Sequence, residues 1–222
     1  MQLKVIITGS TGMVGEGVLL TCLNDPQVSE VLLINRRHLD RNHPKLKELL
    51  ISDFTKINEH AEELKGYDGC FYCAGISSVG VSEEDFTKAT YNTTVSFAEQ
   101  LASINPQLVF TYVSGSGTDS SENRKVMWAR VKGRTENVLM RLPFKAVYNF
   151  RPGVMKIVKG QKNTKGFLKV ISGLYPLWNL LFPKFSCTLE DVGKAMIHAV
   201  TNGYPKPIIE VTDIKILAQK NS

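Results

Sequence analysis

Histidine and cysteine, which build most metal and redox sites, are scarce in this sequence of 222 residues, with four copies of each. The histidines are scattered at His38, His43, His60 and His198. They show neither metal-ligand spacing nor a pattern that would place one of them between a serine and an aspartate. The sequence therefore predicts no metal site and no hydrolytic triad.

The cysteines do not suggest a redox pair either. Cys70 and Cys73 have C-x-x-C spacing, but both fall within 69–74, which is predicted to be a strand. Side chains three residues apart on a strand face opposite sides, so buried reduced thiols are favoured over a chelate or a disulfide. Residues 2–8 lack the charged start and long apolar core of a secretory signal. A cytoplasmic protein is expected.

Neither the charge nor the apolar content is extreme. The chain is 43% hydrophobic and 22% charged, which is near the average of soluble proteins and disfavours disorder, collagen-like repeats and coiled coil. The charge is uneven, however, because residues 1–111 have 9 basic and 14 acidic side chains, whereas residues 112–222 have 18 and 7. This asymmetry indicates an anionic ligand, a nucleic acid, a membrane surface or an ordinary basic solvated surface.

Short apolar runs alternate with segments of helical periodicity. Strands are predicted at 3–7, 31–34, 49–51, 69–73, 108–113, 145–150 and 208–211. Helices are predicted at 12–23, 83–104, 122–142 and from 188 to about 200. The early strands are apolar at almost every position, which indicates burial on both faces of a parallel sheet. The alternation predicts an α/β fold with a doubly wound parallel sheet.

A glycine-rich turn joins the first strand to the first helix. Gly9 permits the tight turn, Gly12 lets the backbone approach a pyrophosphate, and Gly15 lets the helix pack closely on the sheet. The helix start offers free N–H groups and partial positive charge to the phosphates. Its position between strand and helix favours dinucleotide binding over a purely structural turn. The residues assigned to the cofactor are Gly9, Ser10, Thr11, Gly12, Met13, Val14 and Gly15.

With this G-x-x-G-x-x-G spacing, the chain resembles the short-chain dehydrogenase/reductase superfamily, in its extended or atypical, NAD-dependent epimerase/dehydratase-like branch. The resemblance implies a Rossmann fold. It divides the chain into an NAD(P)-binding domain over 1–153 and, over 154–222, a small C-terminal substrate lobe with the final helix and strand of the same domain. Arg151-Pro152-Gly153 matches a further motif of that superfamily.

The resemblance also assigns roles to single residues. Asp53 is expected to contact the adenine, and Cys73, Ala74 and Gly75 are expected to line the cofactor. Ser114, at the end of a strand, matches the catalytic serine. Asn92 and Asp191-Val192 match other family positions.

The end of the second strand predicts which dinucleotide is bound. The residues there are Asn35, Arg36 and Arg37, without the acid that would bind the ribose 2′-OH of NAD. Two guanidinium groups can bind a 2′-phosphate through bidentate, charge-assisted hydrogen bonds. NADP is therefore expected, with NAD as the weaker choice, unless both arginines are only exposed loop charges. No aromatic residues are interleaved with the basic residues 36–47, so no nucleic acid is expected.

The catalytic pattern of the superfamily, Tyr-x-x-x-Lys on one helical face, is incomplete. Lys132 is in register and, by the resemblance, is also expected to bind the cofactor. Trp128 stands in the tyrosine position, and its indole N–H does not titrate at ordinary pH. The candidate catalytic residues are Lys132 as a base with a lowered pKa, then Ser114, then Tyr112. Ser116 also fits the serine position, and Tyr91 could reach the site.

These residues predict an NADP-dependent oxidoreductase or epimerase that acts on a small, apolar carbonyl or hydroxyl compound. The alternative is a catalytically silent protein that senses NAD(P) and regulates a partner. The residues 154–189 hold six lysines and no acid. Within them, 167–182 is expected to be a substrate lid, with a dimer contact or a peripheral membrane contact through 166–185 as alternatives. A monomer or a homodimer is expected.

Overall fold

A parallel sheet forms the centre of the molecule in this computed structural model, which describes residues 2–163 and 173–219. Within those residues the strands are β1 (Leu3–Thr8), β2 (Val28–Asn35), β3 (Leu46–Leu50), β4 (Gly69–Tyr72), β5 (Val109–Val113), β6 (Ala146–Arg151), β7 (Val154–Lys156), β8 (Ser186–Thr188) and β9 (Ile208–Glu210). Seven of them form one sheet in the order β3-β2-β1-β4-β5-β6-β9, and every pair is parallel. The predicted doubly wound α/β fold is confirmed, and its strand order reverses between β1 and β4, where such sheets bind ligands.

Helices cover both faces of the sheet. They are α1 (Met13–Asn24), α2 (Glu83–Thr87), α3 (Thr93–Ile104), α4 (Met127–Leu139), α5 (Tyr175–Leu181), α6 (Leu189–Asn202) and α7 (Val211–Ala218). Side chains of α1, α6 and α7 share one core with Ile7, Leu33 and Phe71. Those of α3 and α4 share the other with Ile6 and Tyr72. Burial on both faces explains why the strands are apolar at consecutive positions.

Two predicted helices differ from the observed ones. The helix predicted at 83–104 is interrupted between α2 and α3 by a π-helical turn, Lys88–Asn92. The helix predicted at 122–142 is shorter, because the residues before α4 form a loop in which the Asp119 carboxylate accepts hydrogen bonds from Ser121, Asn123 and Arg124. The predicted cap of the late helix is observed, since the side chains of Thr188 and Asp191 cap each other's backbone N–H groups.

The small two-stranded sheet of β7 and β8 is absent from the sequence prediction. Val154 pairs with Ser186, and Lys156 pairs with Thr188. The part of the predicted lid at 164–172 lies outside the described residues. α5, which follows, has no buried residue and exposes Leu177, Leu180 and Leu181. The chain then returns to the main sheet, where β9 pairs with β6.

The four cysteines are free thiols. Burial raises the pKa of Cys73 to about 12 and raises that of Cys70 well above its usual range, which makes both unreactive at neutral pH. In residues 2–163 and 173–219, no three His, Cys, Asp or Glu side chains gather closely enough to hold a metal ion. Across the same residues, no helix combines the length and the apolarity needed to cross a membrane.

Candidate active site

The glycine turn packs directly against the chain that leaves β4. Gly9 has a φ of +70°, and a Cβ at this position would lie 2.6 Å from the backbone nitrogen of Ala74. A Cβ at Gly15 would lie 2.2 Å from the carbonyl oxygen of Gly9. Gly12 caps α1 without a side-chain acceptor, so no side chain satisfies the first backbone N–H groups of the helix. This is the geometry that a bound pyrophosphate requires.

Side chains at the ends of β1, β2 and β4 connect the turn to its surroundings. The buried hydroxyl of Ser10 donates to Oδ1 of Asn35 over 2.9 Å. The backbone N–H of Ala74 donates to Oγ1 of Thr8 over 3.2 Å. Thr11 is exposed, and Met13 and Val14 are half-buried. The structure therefore brings the predicted turn residues together with Cys73, Ala74 and Gly75.

The first turn of α1 also binds the start of the C-terminal lobe through hydrogen bonds. Glu16 is buried, and its two carboxylate oxygens accept hydrogen bonds of 2.7 Å from the backbone N–H groups of Lys162 and Asn163. The side chain of Gln161 donates to the carbonyl oxygen of Met13 over 2.8 Å. The sequence prediction missed Glu16, although a carboxylate in the first turn of a buried helix is an unusual residue that must find partners.

A carboxylate from β3 lies at the end of β2. Glu48 accepts hydrogen bonds from the side chain of Asn35 and from the backbone N–H of Leu39, both over 2.9 Å, and it contacts His38. Burial opposes its charge, but these hydrogen bonds outweigh burial and lower the pKa of Glu48. Arg36 and Arg37 are exposed beside it. Asp53 is also exposed, and its carboxylate caps the 3-10 helix Phe54–His60 through Thr55.

An open cleft of about 510 Å³ lies beyond the carboxyl ends of β4, β5 and β6. Most of its lining residues come from the loops that follow these strands and from α4, and they include Ser114, Gly115, Ser116, Trp128, Lys132 and Pro152. Trp128 and Lys132 lie one turn apart on α4, so both reach the same cleft. The Trp128 ring packs over Gly117.

Lys132 is held at the base of this cleft. Its Nζ donates a hydrogen bond to the carbonyl oxygen of Ser114. Burial lowers the pKa of Lys132 to about 8, although the nearby carboxylate of Glu136 acts in the opposite direction. A lysine with such a pKa is partly neutral near physiological pH, so it can both accept and donate a proton.

Behind Lys132 lies a buried ionic network. The hydroxyl of Ser114 donates to Oε1 of Glu136 over 2.5 Å, and the guanidinium of Arg151 donates to both carboxylate oxygens of Glu136 over 3.0 and 2.5 Å. Glu136 is 0% exposed. Arg151 also binds Ser120 and Glu210. Because the single hydroxyl proton of Ser114 is directed at Glu136, this serine faces the cleft as an acceptor.

Glu136 is the functional residue that sequence reasoning missed most clearly. It lies four residues after Lys132 and three before the buried Leu139, which places it on the core-facing side of α4. A single glutamate on the apolar face of a helix indicates that its carboxylate pairs with a buried cation or hydrogen-bond donor. Arg151 is that partner, and it appears in the sequence only as part of the R-P-G motif.

The remaining candidates lie elsewhere. Tyr112 is buried in the core, with its ring centroid 6.2 Å from that of Tyr72, and it does not line the cleft. Burial raises its pKa far above the usual value. Tyr91 is covered by the guanidinium of Arg134 at 4.4 Å. Neither tyrosine lines the cleft, whose half-buried hydroxyl groups belong to Ser78 and Ser116.

The loop that forms the outer wall of the cleft depends on Gly133. A Cβ at this position would lie 1.8 Å from the carbonyl oxygen of Asp119. We therefore expect Gly133→Ala to displace the loop and to lower the free energy of unfolding by about 1–3 kcal/mol. Thermal unfolding measures this effect. Gly173→Ala is the matched control, because no described residue lies within 4 Å of a Cβ at this position, and equal melting temperatures for the two variants would contradict the expectation.

Comparison with known proteins begins with a family. The sequence model of the NAD dependent epimerase/dehydratase family matches residues 5–125, which include the glycine turn and the first five strands. Among curated relatives, Protein FMP52, mitochondrial, of Debaryomyces hansenii is 23% identical over 207 residues, covering 88% of this chain and 87% of the relative. Protein FMP52-2, mitochondrial, of Scheffersomyces stipitis is 27% identical and covers 70% of this chain and 67% of its own length.

Solved structures share the fold. ADP-L-glycero-D-manno-heptose-6-epimerase of Helicobacter pylori superposes with a TM-score of 0.65 at 15% identity, covering 97% of this chain and 80% of that protein. The Bordetella bronchiseptica enzyme WbmH, in complex with NAD+, superposes with a TM-score of 0.64 at 15% identity, covering 90% and 72%. At such low identity the likeness concerns the fold alone.

The relatives correct one prediction. A cytoplasmic location is expected from the reduced cysteines and from the lack of a secretory pattern, but the fungal relatives are named mitochondrial proteins. The expectation is therefore wrong. Its physical basis was too coarse, because reduced thiols distinguish oxidising from reducing surroundings and do not distinguish between reducing compartments.

Proposed function

The chain belongs to the NAD dependent epimerase/dehydratase family, and from this we propose that it binds NADP and transfers hydride between that cofactor and a small carbonyl or hydroxyl compound. The observation that carries the proposal is the close packing of the glycine turn, in which Gly9 lies against the backbone of Ala74 and Gly15 lies against the backbone of Gly9. Side chains at these glycines would clash with that backbone and displace the turn from the start of α1, where a pyrophosphate binds. Residues 9–15 would hold the phosphates, with Cys73, Ala74 and Gly75 along one side.

NADP is preferred over NAD because of the charges at the end of β2. Arg36 and Arg37 are exposed there, free to form bidentate hydrogen bonds with a 2′-phosphate. Glu48 is the nearby carboxylate, but Asn35, His38 and Leu39 already occupy its oxygens. It is therefore a poor acceptor for the ribose 2′-OH that an NAD enzyme must bind. Asp53, exposed after β3, remains the proposed contact for the adenine.

Replacing both arginines tests the cofactor preference. We expect Arg36→Ala/Arg37→Ala to raise the Kd for NADPH about 10- to 100-fold, because charge-assisted hydrogen bonds to the 2′-phosphate are lost. The Kd for NADH is expected to stay within a factor of three. Isothermal titration calorimetry measures both, and Arg141→Ala, which removes another exposed arginine, is the matched control. Wild-type protein that binds neither cofactor at millimolar concentration would overturn the proposed function.

The residues that would carry out the proposed hydride-transfer reaction line the cleft. The cofactor, when bound, supplies or accepts the hydride. Lys132 would take the proton of a substrate hydroxyl as a neutral amine, or return it to a carbonyl oxygen as an ammonium group. The hydroxyl groups of Ser78 and Ser116 and the indole N–H of Trp128 are donors in the cleft that would orient the substrate oxygen. Ser114 would act by positioning, since its carbonyl oxygen binds Lys132 and its hydroxyl binds Glu136.

A second candidate function is a catalytically silent NAD(P) sensor that regulates a partner protein. Two observations favour it: Trp128 stands where a titratable tyrosine is expected, and the proton of Ser114 points away from the cleft. Measurable hydride transfer that depends on Lys132 would exclude it. Contact with a membrane surface, and the choice between monomer and homodimer, stay predictions.

A further inference from the structure

An apolar pocket of about 180 Å³ adjoins the cleft on the side of the C-terminal lobe. It is lined by Val154 of β7, by Trp178 and Phe182 at the end of α5, and by Phe185 and Ser186 at the start of β8. Ser186 is the polar residue among them, and its hydroxyl already lies 3.2 Å from both Oδ1 of Asn179 and the carbonyl oxygen of Phe182. The pocket therefore presents a wall that lacks a free hydrogen-bonding group.

The pocket and the cleft share part of their lining. Val154 and Phe185 line both of them. The backbone N–H of Val154 donates to the carbonyl oxygen of Phe185 over 2.8 Å, and a Cβ at Gly153 would lie 2.1 Å from the same oxygen. This close crossing fixes the two residues at which the cleft and the pocket meet.

We propose that this pocket binds the apolar tail of the substrate, and the inference rests on the proposed function of the cleft. The substrate is then an amphiphile, with its carbonyl or hydroxyl group beside Lys132 and a hydrocarbon group of about six carbons between Phe182 and Phe185. An apolar cavity of about 150 Å³ holds one benzene ring, which has six carbons. A pocket of similar volume therefore accommodates a hydrocarbon group of about that size. Phe182 is 47% and Phe185 58% exposed, so both rings are accessible to such a group.

A polar tail fits the pocket poorly. The hydroxyl groups of a sugar would lose their bonds to water and meet no donor or acceptor in return. A hydrocarbon tail gains from the same transfer, and each buried methylene group strengthens binding about two- to fourfold. The chemistry of this wall therefore selects an aliphatic or aromatic ketone or alcohol over a sugar nucleotide.

A chain-length series tests this assignment. The probes are 2-alkanones from butanone to dodecanone, titrated by calorimetry against the full-length protein, with and without saturating NADPH. We expect the affinity to rise about two- to fourfold per methylene group and to level off once about six tail carbons are buried. Phe182→Asp is expected to abolish the length dependence without changing the Kd for NADPH.

Leu180→Asp is the matched control, because Leu180 lies on the same helix, is 77% exposed and does not line the pocket. Affinity that is independent of chain length in the wild type, while NADPH binds, would overturn the tail pocket and leave the proposed function intact. Equal losses in both variants would also overturn it, since they would indicate a general apolar surface such as a membrane or dimer contact. A length dependence in protein that does not bind NADPH would uphold the pocket and overturn the proposed function.

Discussion

Replacing Lys132 with methionine is expected to lower the rate of hydride transfer about 10²- to 10⁴-fold, the range that a positioned acid or base contributes. The reason is that Lys132 is the titratable group of the cleft whose pKa, about 8, lies near the working pH. Steady-state kinetics with NADP and a secondary alcohol measures the loss. Lys194→Met is the matched control, because it removes an exposed lysine of α6 that pairs with Glu190. A rate within threefold of the wild type would contradict the role of Lys132.

The pH dependence of the rate also tests the role of Lys132, and the direction of the change can be predicted for each reaction. Alcohol oxidation needs the neutral amine, so kcat/KM is expected to rise with pH through about 8 and then to level off. Carbonyl reduction needs the ammonium form and is expected to fall over the same range. A profile that is flat from pH 7 to 9 in both directions would exclude a proton transfer through Lys132.

The lowered pKa of Lys132 also affects stability. The folded protein binds this proton less tightly than the unfolded chain, whose lysine titrates near 10.5. Folding is therefore opposed below pH 8, and the opposition is relieved as the pH rises from 8 to 10.5. The inactive Lys132→Met variant should accordingly be more stable at pH 7, by about 1–3 kcal/mol. A lower melting temperature at pH 7 would show that the lysine stabilises the fold instead.

Arg151→Met is expected to lower the free energy of unfolding by about 3–5 kcal/mol, because it removes the guanidinium that pairs directly with the fully buried Glu136. This is a large share of the 5–15 kcal/mol that holds a typical domain together. The melting temperature should fall by about 6–20 °C. Differential scanning calorimetry measures the change. As a control, Lys65→Met breaks the exposed pair with Glu62 and should cost under about 1 kcal/mol.

A second substitution separates lost charge balance from lost packing. Glu136→Gln removes the buried charge but keeps an acceptor for the hydroxyl of Ser114, so Arg151→Met/Glu136→Gln should regain much of the stability lost in Arg151→Met. The double-mutant cycle then gives a coupling of about 0.5–3 kcal/mol. Additive losses would contradict a direct ionic contact between these two side chains.

The sheet could be predicted from the sequence because the early strands have a recognisable local pattern of apolar residues. The runs at Leu3–Thr8 and Gly69–Tyr72 are apolar at most positions, and the glycine turn after the first of them marks the start of α1. Burial of both faces leaves few alternatives to a parallel sheet. The strand order then follows from right-handed crossovers.

Other features depend on contacts between distant residues. The pairing of Val154–Lys156 with Ser186–Thr188 joins three-residue segments about 30 positions apart, which leave no periodic pattern. The π-helical turn Lys88–Asn92 has an ordinary helical sequence on both sides. Such elements form because the tertiary structure selects them.

The site was predictable in its backbone and less so in its side chains. Glycines that require close approach are visible in a sequence, whereas the partners of a charged residue are not. Glu48 resembles a solvent-exposed glutamate in the sequence, and the helical position of Glu136 indicates burial but does not identify its partners. Only the fold shows that Glu48 lies at the end of β2, where it binds Asn35, and that Glu136 binds Ser114 and Arg151.

The β7–β8 pair and the hydrogen bonds of Glu16 attach the C-terminal lobe to the fold as a separable unit. Residues 157–185 leave and re-enter the fold at neighbouring points, while β9 and the helices around it complete the sheet independently. Doubling the length of such an excursion costs only about 0.6 kcal/mol in loop-closure entropy. Insertions and deletions there can change what the cleft accepts without disturbing the dinucleotide turn. Divergence among relatives should therefore concentrate in this interval, and exchanging it between them offers a direct way to transplant specificity.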